Sequence, residues 1–144
     1  MVRTVCPHCG AVNRLPEDRP AIEARCGQCH EALFAGAPLE VDGPGLDRQV
    51  AQTRGHGLLL DVWAPWCGPC RMMAPHFAGA ARELEPEVRL LKLNSDAAPE
   101  AAARLGVSGI PALFLFRDGR VIARTTGLMS TPQLTAWTRQ GLAQ

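Results

Sequence analysis

Six cysteines constrain this chain more than any other feature, because they fall into three pairs, Cys6/Cys9, Cys26/Cys29 and Cys67/Cys70, each separated by two residues. In a small secreted protein such a set would point to three disulfides. In a reducing compartment the same spacing points to metal binding or redox catalysis. The opening residues Met1-Val2-Arg3-Thr4-Val5-Cys6 lack the apolar stretch of a secretory signal, so a cytosolic location is expected. No run approaches the roughly 18 apolar residues of a membrane span.

Composition narrows the partners. Fifteen cationic and fourteen anionic residues leave a net charge of +1, too weak a field to draw in nucleic acid or an anionic membrane. Three Trp, four Phe and no Tyr are too few rings for the stacking platform of a single-strand binder. A length of 144 residues allows one domain of about 100 residues with a small attachment.

The attachment is expected at residues 1–35, where large apolar side chains are scattered and Pro16, Pro20 and Gly27 interrupt the chain. So small a piece cannot fold on its own core. Cys6-Pro7-His8-Cys9 and Cys26-Gly27-Gln28-Cys29, sixteen residues apart, have the spacing of two knuckles that close on one zinc ion through Cys6, Cys9, Cys26 and Cys29. Two disulfides, or a second redox dithiol, are the other uses of these thiols. Metal binding would supply the folding energy that the core lacks. His8 and His30 flank the ligands and are left for supporting contacts or the surface.

Residues 36–45, rich in Pro and Gly, are expected as a linker, and residues 46–144 as the main domain. There a short helix over 46–53 precedes the apolar run Leu58–Trp63, a strand buried on both faces. A helix over 68–84 and a strand over 88–93 complete a parallel crossover. A second helical stretch covers 97–105. Two strand-like runs, 112–117 and 120–126, flank Asp118-Gly119 in a hairpin, and Thr131, followed by Pro132, is expected to cap a last helix to about residue 140. The fold class is α/β: three layers around a mixed sheet, with the cysteine module in front.

Trp66-Cys67-Gly68-Pro69-Cys70 follows a strand and opens a helix, where free N–H groups and the helix dipole favour a thiolate. A thiolate is the form that attacks a disulfide, so Cys67 is the expected nucleophile and Cys70 the thiol that resolves the mixed disulfide. An inert buried pair or half of a metal site would use the same residues, but only His76 could add a ligand. Asp61 interrupts an apolar strand. Either it marks a strand end at solvent, or it is a buried carboxyl with a raised pKa that takes the proton from Cys70. Lys92, the one lysine beside fourteen arginines, lies in the strand expected next to it, where an ammonium could tune that carboxyl.

The run Asp61-Val62-Trp63-Ala64-Pro65-Trp66-Cys67-Gly68-Pro69-Cys70, together with Gly109-Ile110-Pro111, resembles the active-site signatures of the thioredoxin family. The element order over 46–144 agrees. The module, with Cys26-Gly-Gln-Cys-His-Glu-Ala-Leu-Phe, resembles the N-terminal piece of the zinc-containing bacterial thioredoxin 2 type. The resemblance implies a thioredoxin-like fold, a cis Pro111 facing the cysteines, and a shallow substrate groove formed by Trp66, Gly109, Ile110, Pro111 and Gly127. An extended substrate would pair there by strand addition. Ala112 and Val62 depart from the family pattern, which has Thr and Phe there.

The implied activity is a cytosolic protein-disulfide reductase with a structural or redox-responsive zinc site. It would act on disulfide-containing proteins, be recharged by an NADPH-dependent thioredoxin reductase, hold no flavin or nicotinamide itself, and work as a monomer. A disulfide-forming oxidase or isomerase would use the same dithiol, although the Gly-Pro between the cysteines and the lack of an export signal favour the reductant. From another class, a zinc-ribbon adaptor or holdase would keep the domain for binding alone, with no need of both thiols.

Overall fold

The computed structural model describes residues 1–144. The core of the molecule is a five-stranded sheet of order β3-β5-β4-β6-β7, with β3 at Leu39–Val41, β4 at Gly57–Trp63, β5 at Val88–Asn94, β6 at Ala112–Arg117 and β7 at Arg120–Thr126. β4 lies at the centre, parallel to β5 and antiparallel to β6. Burial on both faces explains its apolar run, which Asp61 alone interrupts: Leu58, Leu59, Leu60 and Val62 are all buried.

Helices cover both faces. On one, α1 (Gly43–Gln52) and α3 (Pro99–Leu105) pack Leu46, Ala101 and Ala102 against Leu58, Leu60, Leu91 and Phe114. On the other, α2 (Gly68–Leu84) and α4 (Thr131–Leu142) pack Met73, Phe77, Ala80, Leu84 and Leu134 against Leu59, Leu90, Leu113 and Leu115. Met73, Phe77, Ala80 and Leu84 recur at helical spacing and form the core face of α2. The hairpin turns at Asp118 (φ 49°) and Gly119 (φ 83°), the paired positive angles that a tight two-residue turn requires.

Two boundaries differ from expectation. Residues 36–45 are not a free linker: they contain β3, which pairs with β5 at the sheet edge, and the first turn of α1. Pro and Gly there suit a helix start, with Asp42 accepting the Gly45 N–H at 2.7 Å and Pro44 in the first turn, where its missing N–H costs nothing. At α4 the cap is Ser130 and not Thr131. Its hydroxyl accepts from Gln133 N–H while the Gln133 side chain accepts from Ser130 N–H.

Residues 1–35 form a two-stranded sheet, β1 (Val2–Val5) and β2 (Val12–Leu15), with a 3₁₀ turn at Ala21–Glu23. This module is seated on the main domain. Backbone bonds join Arg3 and Arg54 in both directions at 2.9 Å, and Arg48 donates to the Gly10 carbonyl at 2.8 Å. Gly55 (φ 86°) lets the chains meet, since a Cβ there would sit 2.7 Å from the Met1 carbonyl oxygen.

Beneath the module lies the guanidinium of Arg89, 2% exposed. It donates to Thr4 Oγ1 (3.1 Å) and to the carbonyls of Val5 (3.3 Å) and Leu33 (2.9 Å), and stacks on Phe34 at 4.5 Å. The His56 ring meets Thr4 Oγ1 at 3.0 Å and packs edge-on to Phe34.

Candidate active site and metal centre

β4 ends at Trp63, and Ala64, Pro65 and Trp66 carry the chain to Cys67 at the N-terminus of α2. Cys67 is the helix cap: its sulfur accepts the Cys70 N–H at 3.2 Å. That bond and the helix dipole are what a thiolate at this position uses. Cys67 and Cys70 are joined as a disulfide, with Cα atoms 5.2 Å apart. Both are buried, at 4% and 3% exposure, in a cluster with Ala64, against which Trp63 and Ile110 pack. No third metal-ligating side chain joins them.

The Ile110–Pro111 bond is cis, and the Ile110 carbonyl oxygen lies 3.8 Å from Cys67 Sγ. Beside the disulfide opens a cleft of about 660 Å³, walled by Trp66, Cys67, Pro69, Val107, Gly109 and Ile110 among others. Pro111 and Gly127 are not among its walls. They are joined to each other, the Gly127 N–H donating to the Pro111 carbonyl at 2.9 Å. Trp66 is 67% exposed yet fixed, its indole N–H donating to Asp96 at 3.2 Å. Asp96 was not anticipated; it lies in the loop after β5, a position that sequence pattern reads only as a polar turn.

Asp61 is fully buried, and neither carboxylate oxygen has a hydrogen-bond partner. Solvent exposure at a strand end is thereby ruled out. Burial pushes its pKa up to about 7, against the pull of Lys92 and with a smaller push from Glu40. Asp61 lies two residues beyond Leu59 on β4 and so shares its face, the face covered by α2. On α2, Cys70 is one turn before the buried Met73. Lys92 pairs directly opposite Asp61 in the parallel register of β5 and β4, and its ammonium lies over the Trp63 ring at 4.8 Å.

In the module, the sulfurs of Cys6, Cys9, Cys26 and Cys29 all lie within 4.8 Å of one another, and the Cys6–Cys29 and Cys9–Cys26 pairs are 3.6 Å apart. Four thiolates at about 2.3 Å from a tetrahedral zinc would be about 3.8 Å from each other. The donors therefore fit that ion. The knuckle turns point N–H groups at sulfur, His8 to Cys6 and Gln28 to Cys26, both at 3.4 Å, and Asn13 donates its amide to Cys26 at 3.4 Å. The Cys29 N–H, then Asn13, bring Cys26 down to about 5. Cys29, although favoured as a thiolate by the Glu31 N–H, is pushed up to about 12 by desolvation and its neighbour thiols. His8 and His30 are exposed and outside the cluster.

The family model described as thioredoxin matches residues 39–140, and the one described as thioredoxin 2, N-terminal, matches residues 5–31. The chain belongs to the thioredoxin family. It is similar to thioredoxin C-3 of Corynebacterium nephridii, 40% identical over 140 residues that cover 97% of this chain and 95% of that one. It is also similar to the thioredoxin of Pseudomonas aeruginosa, 38% identical over 74% of this chain and 87% of that protein. A thioredoxin variant from Halobacterium salinarum superposes with a TM-score of 0.66 at 30% identity, over 74% of this chain and 92% of the other. Thioredoxins are thiol–disulfide oxidoreductases that reduce disulfide substrates and are themselves reduced by thioredoxin reductase, so the Cys67–Cys70 pair belongs to an enzyme of that class. In front of this thioredoxin domain stands a zinc-ribbon module of the thioredoxin 2 kind. No helix is long and apolar enough to cross a membrane.

Proposed function

We propose that the protein is a cytoplasmic, monomeric disulfide reductase in which Cys67 attacks and Cys70 resolves. The capping of α2 by Cys67 beside an open cleft carries this reading. In the reduced enzyme the Cys67 thiolate attacks one sulfur of a substrate disulfide, forming the mixed disulfide and expelling the first substrate thiolate. Asp61, as carboxylate, takes the proton of Cys70. The new Cys70 thiolate then attacks Cys67 Sγ, releasing the second substrate thiolate and leaving the Cys67–Cys70 disulfide. Two electrons pass to the substrate, and an NADPH-dependent thioredoxin reductase returns them.

Trp66, Gly109 and Ile110 form the substrate wall, while Pro111 and Gly127 hold its backbone. Lys92 tunes Asp61. One zinc ion held by Cys6, Cys9, Cys26 and Cys29 keeps residues 1–35 folded and supplies no redox step. The test is NADPH consumption with a disulfide protein and the reductase. Turnover is expected in the native chain and absent in Cys67→Ser. Cys70→Ser should accumulate substrates linked to Cys67, identifiable by mass spectrometry. Partner binding without turnover in the native chain would replace this reading with an adaptor.

A further inference from the structure

Three charged groups share one row of the sheet. Glu40 on β3 pairs opposite Lys92 on β5, and Lys92 pairs opposite Asp61 on β4. The next strand, β6, offers only Leu113 opposite Asp61, and α2 covers that face with the cysteine pair and apolar side chains. Lys92 forms an ion pair with neither carboxylate. Its ammonium rests on the face of Trp63, and the indole N–H of Trp63 is held by Glu40 Oε1 at 3.0 Å. Both Asp61 oxygens remain without partners.

We propose that Glu40 is a positioning residue that, by holding Trp63, stations the Lys92 ammonium off Asp61 and so leaves that carboxyl free to exchange a proton with Cys70. The proposal rests on the role given to Asp61 above. An ammonium free to swing onto Asp61 would stabilise the carboxylate and leave it a poor base. Two features of the row oppose this. The indole offers the cation a π face, and Glu40 supplies a second negative charge on the far side of Lys92. Glu40 is exposed, so its direct charge effect is screened by salt. The tether through Trp63 is not.

The experiment follows the Asp61 carboxyl by carbon-13 NMR titration in the oxidised, zinc-loaded full-length protein, with Asp61→Asn to assign the signal. Glu40→Gln keeps an acceptor for Trp63 and removes the charge; it is expected to lower the midpoint by roughly 0.2–0.7 pH unit, less at high salt. Glu40→Ala removes the tether as well and is expected to lower it further, with the pH profile of the resolving step following. A midpoint that stays or rises in both variants overturns the proposal, and an Ala shift no larger than the Gln shift overturns the tether. If Asp61→Asn leaves the resolving step's pH profile unchanged, the role of Asp61 falls and this inference with it. If that profile changes while the Glu40 variants are silent, only Glu40 is refuted.

Discussion

Asp61 should make the folded protein less stable as pH rises, and the size of the effect follows from its burial. Its pKa is about 7 in the folded chain, against an ordinary value of 3.8. Between those values the folded state holds a proton that the unfolded state has lost, so folding stability falls with rising pH, with a slope of up to about 1.4 kcal/mol per unit. Across the whole window, from pH 3.8 to about 7, the loss comes to about 4 kcal/mol. The side chain has no exposure to water, so solvent screening takes nothing off this figure. Against a typical total of about 5–15 kcal/mol it is a large sacrifice.

Asp61→Asn removes the titration and keeps the shape. Protonated Asp and Asn are both neutral, and neither finds a partner here, so the two proteins should be about equally stable near pH 4. By pH 8 the variant should be the more stable by about 4 kcal/mol. Guanidinium unfolding of both oxidised proteins at half-unit steps measures the difference. Loss of zinc in acid, as its thiolates protonate, affects both chains alike and cancels. A difference that stays flat from pH 4 to 8, or shrinks as pH rises, would refute a buried Asp61 with a raised pKa, and with it the proton acceptor assigned to Cys70.

The module gives two further tests. Arg89→Met leaves three module acceptors without their donor and should cost about 3 kcal/mol, seen as faster hydrogen exchange over residues 1–35 with turnover largely retained; unchanged protection would show that Arg89 does not fasten the module. Native mass spectrometry should find one zinc per chain. Peroxide titration with a colorimetric chelator should release that zinc as the thiolates oxidise, before turnover is lost, while a metal held until the enzyme is dead would leave the site purely structural.

The residues whose chemistry is local were legible, and those whose partners come from distant segments were not. Each Cys-x-x-Cys pair carries its own geometry in two intervening residues, and the segment around it, a strand and helix start for Cys67/Cys70 and a core-poor piece for the other two, points to the use. Asp61 stood out because a carboxylate inside an apolar strand is costly wherever the strand lies. β3 was hidden because three residues between Pro and Gly hold too little pattern to separate a strand from a loop, and only its pairing with β5 makes it one.

Arg89 and His56 show the same limit from the other side. Arg89 is spaced like a solvent-facing residue on β5, and His56 sits between two glycines like a loop residue. Both are buried only because another part of the chain covers them. Sequence could show that residues 1–35 hold few large apolar side chains, but not that Leu15, Leu33 and Phe34 would gather with Cys6 and Cys26 in a small cluster of their own, or that Phe34 and Thr4 would meet Arg89 and His56. The same reasoning applies to Glu40, whose effect on Asp61 passes through Trp63 and Lys92 and exists only once three strands are in register. A charge on an edge strand looks like solubility in the sequence; in the folded sheet only Lys92 of β5 stands between it and Asp61, the proposed proton acceptor of Cys70.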